Sequence, residues 1–191
     1  MSDIDGDSGT RHSPVYTRTG DDGTTGLLFG GRVAKRSEIP EACGDVDEAQ
    51  AAIGVARAAA GGDSSLLDTI LVEVSRDLWV LMAELSTHPS NRHKLVMGAT
   101  LVTDEMVQAL ERRIDHISSM FTPPTEFVIP GSDEVSAQLD LARTVVRRAE
   151  RRATSVAAEG SFSIAYLNRL SDLMWTLARW REGTALRARD L

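Results

Sequence analysis

What this sequence lacks already excludes several classes of protein. It has one cysteine, Cys43, so no internal disulfide can staple the chain, and the usage fits a reducing compartment. It has no basic excess: 21 Lys and Arg stand against 28 Asp and Glu, a net charge of -7. A whole-chain affinity for nucleic acid or an anionic membrane is therefore disfavoured, although local basic patches remain open. No apolar run approaches the length of a membrane span. The opening MSDIDGDSGTRHS has neither a basic n-region nor an apolar h-region, so it does not read as a secretory signal. A cytoplasmic protein without nucleic-acid or membrane partners is predicted. His88, His93 and His116 show no metal-ligand spacing, so no protein-held metal is expected, and no internal repeat is visible.

What is present is ordinary globular material, 42% hydrophobic and 26% charged, in a chain long enough to bury a core. Residues 1–14 read as a disordered tail, 15–39 as a Gly/Thr-rich and then basic loop segment, and 40–191 as one helical domain. A first helix is expected from Pro40 to Ala60, stopped by Gly61 and Gly62. A second starts at an Asp63 cap and carries Leu67, Ile70, Leu71, Val74, Leu78, Leu81 and Leu85 at helical spacing until His88-Pro89. A third runs from Thr103 towards Pro123-Pro124, with Val107, Leu110, Ile114 and Ile117 on one face. Ser132 caps a fourth, whose stripe from Val135 to Val156 closes at Gly160, and a fifth covers Ser163 to Trp180. No strand set is apparent. The expected fold is all-α, an up-and-down five-helix bundle.

The fourth helix, LDLARTVVRRAERRA, carries the strongest chemical pattern. Arg143, Arg147 and Arg151 follow one another within about 80° of arc, with Glu150 among them, beside the apolar stripe rather than opposite it. Such a row repels itself unless an anion sits in front, and guanidinium forks match phosphate; a solvated face or inter-subunit ion pairs would also fit. Arg148 and Arg152 point further round. In the first helix, Asp47 shares a side with Cys43, Gln50 and Gly54 that should be buried, and a buried carboxylate needs a partner, for which an arginine of the row serves. LNRLSD puts Asn168 and Asp172 one turn apart, with Arg169 in reach of Asp172. Phe127, in the inter-helix segment FVIPG, is either a core plug or the wall of a ligand pocket. YTRTGDDGTTG, residues 16–26, lacks the Gly-Lys-Ser/Thr ending of a Walker loop. Its free amides and hydroxyls suit a linker or a phosphate cradle, with Arg18 inside it and Lys35 beyond it.

Together YTRTGDDGTTGLLFGGRVAK, GDVDEAQAAIG, FVIPG, ARTVVRRAERR and LNRLSDLMWTLAR resemble, in order and over residues 16 to 180, the PduO-type ATP:cob(I)alamin adenosyltransferases. The resemblance implies a homotrimer of five-helix bundles with active sites between subunits. It implies transfer of the 5′-deoxyadenosyl group of ATP to the cobalt of cob(I)alamin, reached through cob(II)alamin, giving adenosylcobalamin and triphosphate, with Mg2+ accompanying ATP. By the same resemblance Thr17, Arg18, Thr19, Gly20, Thr25, Gly26 and Lys35 form the ATP loop. Arg147, Arg148, Glu150, Arg151 and Asn168 complete the nucleotide site, Asp47 and Arg143 pair across the subunit interface, and Phe127 occupies the lower face of the corrin. A cob(II)alamin reductase and an adenosylcobalamin-dependent mutase are the implied partners. DEAQ stands where DELN is frequent, and Arg18 and Asp22 stand where lysine is frequent. Two other classes compete: a non-catalytic cobalamin carrier, and a helical interaction module whose arginines pair across an assembly.

Overall fold

The computed structural model describes residues 15–61, 65–184 and 186. Among them are five α-helices, α1 (Glu38–Ala59), α2 (Leu66–Leu85), α3 (Asp104–Ser118), α4 (Glu134–Ala153) and α5 (Ser163–Glu182), with a 3-10 helix at Pro89–Lys94. The expected tail, residues 1–14, and the expected cap Asp63 lie outside the described residues.

Three of the five α-helices, α2, α3 and α4, begin where a short polar side chain takes a free amide. Ser65 accepts from the Asp68 amide to start α2, and Thr103 accepts from Met106 to start α3. Asp133, rather than the expected Ser132, caps α4 by accepting from Ser136. The anticipated α2 stripe is buried throughout, from Leu67 to Leu85. Helix α4 buries Val135, Leu139, Ala142, Val146, Ala149 and Ala153, then stops at Ala153. Val156, expected on its stripe, packs on the core from the following turn.

Chain direction alternates from helix to helix, as expected, but neighbours in space are not all neighbours in sequence. Helix α4 packs between α1 and α5, while α3 packs on α5 and α2 on α1. Small residues permit the closest of these approaches: α1 buries Ala42, Ala49 and Ala56, and α4 buries Ala142, Ala149 and Ala153. Ion pairs fix the antiparallel sense of α1 and α4. Arg148 meets Asp45 at 3.3 Å, and Arg152, one turn on, meets Glu41 at 3.5 Å. The C-terminal end of α4 therefore lies at the N-terminal end of α1, beside the loop segment.

That segment corrects the expectation of no strands. β1 (Thr24–Gly26) and β2 (Arg32–Ala34) form an antiparallel hairpin, with Gly26 opposite Arg32. The hairpin docks on the end of α2, where the Leu28 amide donates to the Ser86 carbonyl at 3.0 Å. Glu84, almost fully buried, ties the same end together. It accepts from Arg92 at 2.8 Å, from the Val102 amide at 2.9 Å and from the Ser161 hydroxyl at 2.6 Å.

Candidate functional site

The Gly/Thr segment is a folded loop rather than a linker. Asp22 accepts from both the amide and the hydroxyl of Thr24, at 2.9 and 2.7 Å. Those two bonds, the hydroxyl's foremost, hold its carboxyl below the usual carboxylate range. Arg32 then clamps the loop, donating to the Thr19 carbonyl at 2.5 Å and to the Thr24 hydroxyl at 2.6 Å. Thr17 and Thr19 share a hydroxyl bond of 2.8 Å, and the Arg18 guanidinium lies 5.5 Å from the centre of the Tyr16 ring. Lys35, across the hairpin, donates its amide to the Gly23 carbonyl and lays its side chain along Gly20. A Cβ on Gly20 would stand 3.0 Å from the Lys35 Nζ and 3.2 Å from the Thr24 carbonyl, so a side chain there would crowd the ammonium. The ammonium itself has no ion-pair partner among the described residues.

Helix α4 divides its arginines between two flanks. Arg148 is bound to Asp45 and Glu48, and Arg152 to Asp45 and Glu41, all on α1. Arg147 is exposed, and its guanidinium has no partner among the described residues. Arg151, also exposed, donates among the described residues only to the Arg147 carbonyl, at 2.9 Å. Glu150 accepts from Asn168 at 3.0 Å, joining α4 to α5 below the row. Arg169 pairs with Asp172, as its spacing predicted, and also with Glu111.

The opposite end of the row opens on a cavity of about 700 Å³ whose lining includes Phe127, Trp175, Asp140, Arg143 and Arg179. Phe127 is 90% exposed, so it is not a core plug. Arg143 is half-buried and donates through Nε to Asp140 at 3.3 Å. It makes no contact with Asp47 of the same chain. Asp47 is exposed rather than buried, since the buried stripe of α1 is Ala42, Val46, Ala49, Ile53 and Ala56. It lines a shallow groove with Leu28, Cys43, Trp79 and Met82, in which Trp79 is 66% exposed. Burial pushes the Cys43 thiol up to about 11, which suits an inert packing residue.

A family profile described as cobalamin adenosyltransferase matches residues 15–181. The chain belongs to that family. It is 37% identical over 180 residues to the corrinoid adenosyltransferase PduO of Salmonella typhimurium, a match covering 91% of this chain and 51% of that one. It is 38% identical over 190 residues to a corrinoid adenosyltransferase of Mycobacterium tuberculosis, covering 88% of this chain and 93% of that one. The chain thus spans about half of the Salmonella relative and nearly all of the mycobacterial one. In fold it is similar to a variant PduO-type ATP:corrinoid adenosyltransferase from Lactobacillus reuteri, solved in complex with cobalamin and ATP. There the TM-score is 0.81 at 24% identity, over 92% of this chain and 99% of that one.

Membership in the cobalamin adenosyltransferase family sits beside three features the sequence did not announce. Arg32 clamps the loop, which becomes legible only once the hairpin register puts it opposite Gly26. Arg179 is buried in the apolar stripe of α5. Asp140 precedes Arg143 by three residues on α4, a spacing visible in the sequence but with no sign there that a cavity opens beside it.

Proposed function

We propose that this chain is a corrinoid adenosyltransferase, moving the 5′-deoxyadenosyl group of ATP onto the cobalt of cob(I)alamin. The observation that carries this assignment is the set of cations left unpaired by the fold. Lys35 is held in the Gly/Thr loop, and Arg147 stands on α4 between that end and the Phe127 cavity, in a chain of this family. Cations left without a counter-charge, on the loop and on α4, suit a triphosphate.

In this mechanism Thr17, Arg18, Thr19, Gly20, Thr25 and Gly26 wrap the phosphates, and Asn168, bonded to Glu150, steadies the nucleotide side of α5. Cob(I)alamin is a strong nucleophile, so no general base is required; the protein positions the reactants. The cobalt gives its electron pair to C5′ of ATP. The Co–C bond forms as the C5′–O bond breaks, and triphosphate leaves with the displaced pair. Lys35, Arg147 and Arg151 stabilise the negative charge that grows there. Phe127, at the cavity lip, covers the lower face of the corrin and keeps water and an axial nitrogen from the cobalt, which eases reduction of cob(II)alamin by a reductase. The product serves a mutase that uses adenosylcobalamin. No group of three His, Cys, Asp or Glu among the described residues is arranged to hold a metal. Mg2+ is proposed to enter with ATP, as a companion of the triphosphate. Arg148, engaged with Asp45 and Glu48, serves the nucleotide site by fixing α4 rather than by reaching the ligand.

A homotrimer with sites between subunits is part of the proposal. It is supported by Asp47, exposed in a groove beside Trp79, and by Arg143, whose terminal nitrogens have no partner among the described residues. Such a pair would join two copies. In the described residues no helix is long and apolar enough to cross a membrane, which accords with the proposed cytoplasmic setting.

The test is an anaerobic incubation with ATP, magnesium and chemically reduced cobalamin, read by absorbance. A light-sensitive alkylcobalt spectrum is the expected result. Binding of both ligands without that product would favour a carrier, and binding of neither would favour an interaction module.

A further inference from the structure

Under the cavity lip lies a cluster of four charges that the transfer chemistry does not itself require. Asp140 and Arg179, both nearly inaccessible, bond at 2.5 Å between α4 and α5. Arg179 also meets Glu182 at 3.0 Å, and Glu182 accepts from the buried Ser136 hydroxyl at 3.3 Å. The two Asp140 oxygens are divided: Oδ2 takes the buried Arg179, and Oδ1 takes Arg143 at the lip. A buried ion pair gives little net stability, because desolvation offsets its Coulomb gain. The same cluster is well suited to direction. Arg179, itself paired with Glu182, holds Asp140 by Oδ2, and Asp140 takes Arg143 by Nε. An arginine anchored at Nε presents its two terminal nitrogens outward as a fork, the geometry that receives a carboxylate or phosphate in bidentate fashion.

We infer that Asp140, locked by Arg179, is a positioning residue that aims the Arg143 fork out of the Phe127 cavity, towards a carboxylate of a second copy of this chain. The inference rests on the transferase assignment for its role in turnover but not for its geometry. With the fork aimed, the wall of the corrin cavity is closed by the neighbouring copy. With Asp140 neutralised, Arg143 samples other rotamers and that wall loosens, while the ATP loop at the far end of α4 is untouched.

The test compares the full-length wild type with Asp140→Asn, Arg143→Lys and the double variant. Turnover is measured at varied corrinoid and varied ATP, and equilibrium binding of cob(II)alamin is measured without ATP. Asp140→Asn is expected to raise corrinoid KM and Kd about tenfold, as loss of a partner that orients a working group commonly does. ATP KM should stay unchanged. In the Arg143→Lys background, which has no fork to aim, Asp140→Asn should add nothing. An equal effect of Asp140→Asn in both backgrounds, a wild-type corrinoid Kd, or parallel losses for corrinoid and ATP would overturn the inference. If Asp140→Asn does not fold, Asp140→Glu keeps the buried charge but displaces it by a methylene. It should raise corrinoid Kd alone, and an unchanged value would overturn the inference as well. Wild-type turnover judges the transferase assignment separately, since the binding constants decide the role of Asp140 with or without it.

Discussion

The two flanks of α4 carry the same residue type and do different things with it. On the flank facing α1, Arg148 and Arg152 are neutralised by Asp45, Glu48 and Glu41. On the other, Arg147 has no counter-charge among the described residues, and Arg151 leans back on the helix carbonyl one turn away. An arginine next to an acid on a neighbouring helix joins two helices. An arginine left without an acid holds a place for an anion that comes from outside. Sequence position alone does not separate the two, since Arg147 and Arg148 are adjacent.

The largest effect should come from the unpaired flank. Arg147→Ala is expected to lower kcat about a hundredfold, the usual loss when a charge-assisted contact to a developing anion is removed, with the melting curve unchanged. A comparable loss of folding would place Arg147 with its paired neighbours and end the distinction between flanks. Phe127→Ala sharpens the contrast between the two ends of α4. Turnover should fall steeply while ATP still binds, because Phe127 is exposed at the cavity and remote from the loop. Equal loss of ATP binding would mean that the two ends are not separate.

The paired flank should respond in stability. Asp45→Asn removes the acid shared by Arg148 and Arg152 and should cost about 1 kcal/mol in denaturant unfolding, with turnover near wild type. A large kinetic defect there, on a correctly folded protein, would show that the α1 pairs aim the row rather than merely bracing it.

The smallest effect concerns a pair away from both flanks. Tyr166, fully buried, donates to Asp77 at 2.9 Å. Burial raises the Asp77 pKa above its ordinary 3.8, the Tyr166 bond only partly opposing it. A raised folded pKa means that the folded state prefers the protonated acid. This contribution is therefore greatest below 3.8 and is lost as pH rises through the folded value. Asp77→Asn should gain stability relative to wild type over that window and hold the gain above it. A difference independent of pH, measured by urea unfolding across the range, would assign the site no such titration.

The fold was legible where periodic large side chains meet clear stops. The stripes of α2 and α3 and the start of α5 fall where expected because leucine, isoleucine and valine recur against polar neighbours. Helix α1 is harder to read on its buried side. Its sequence holds alanine on most sides, so a helical wheel offers little contrast, and Asp47, expected on the buried side, is exposed in the single chain. The hairpin was missed because strands of three residues carry almost no alternation and exist through their pairing and their dock on Ser86. At the site, Lys35 and the loop, Glu150 with Asn168, and Arg143 with the Phe127 cavity do come together. Asp47 and Arg143 do not meet within one chain.

The sequence by itself determined the helices, the family and the residue types at the site, because each of these depends on local spacing along the chain. Only the tertiary structure decided which arginines are left unpaired, that Asp140 takes Arg143 by Nε, and that Lys35 enters the loop at Gly20. Those outcomes depend on what a neighbouring element brings within bonding distance, and adjacency along the chain carries no record of it.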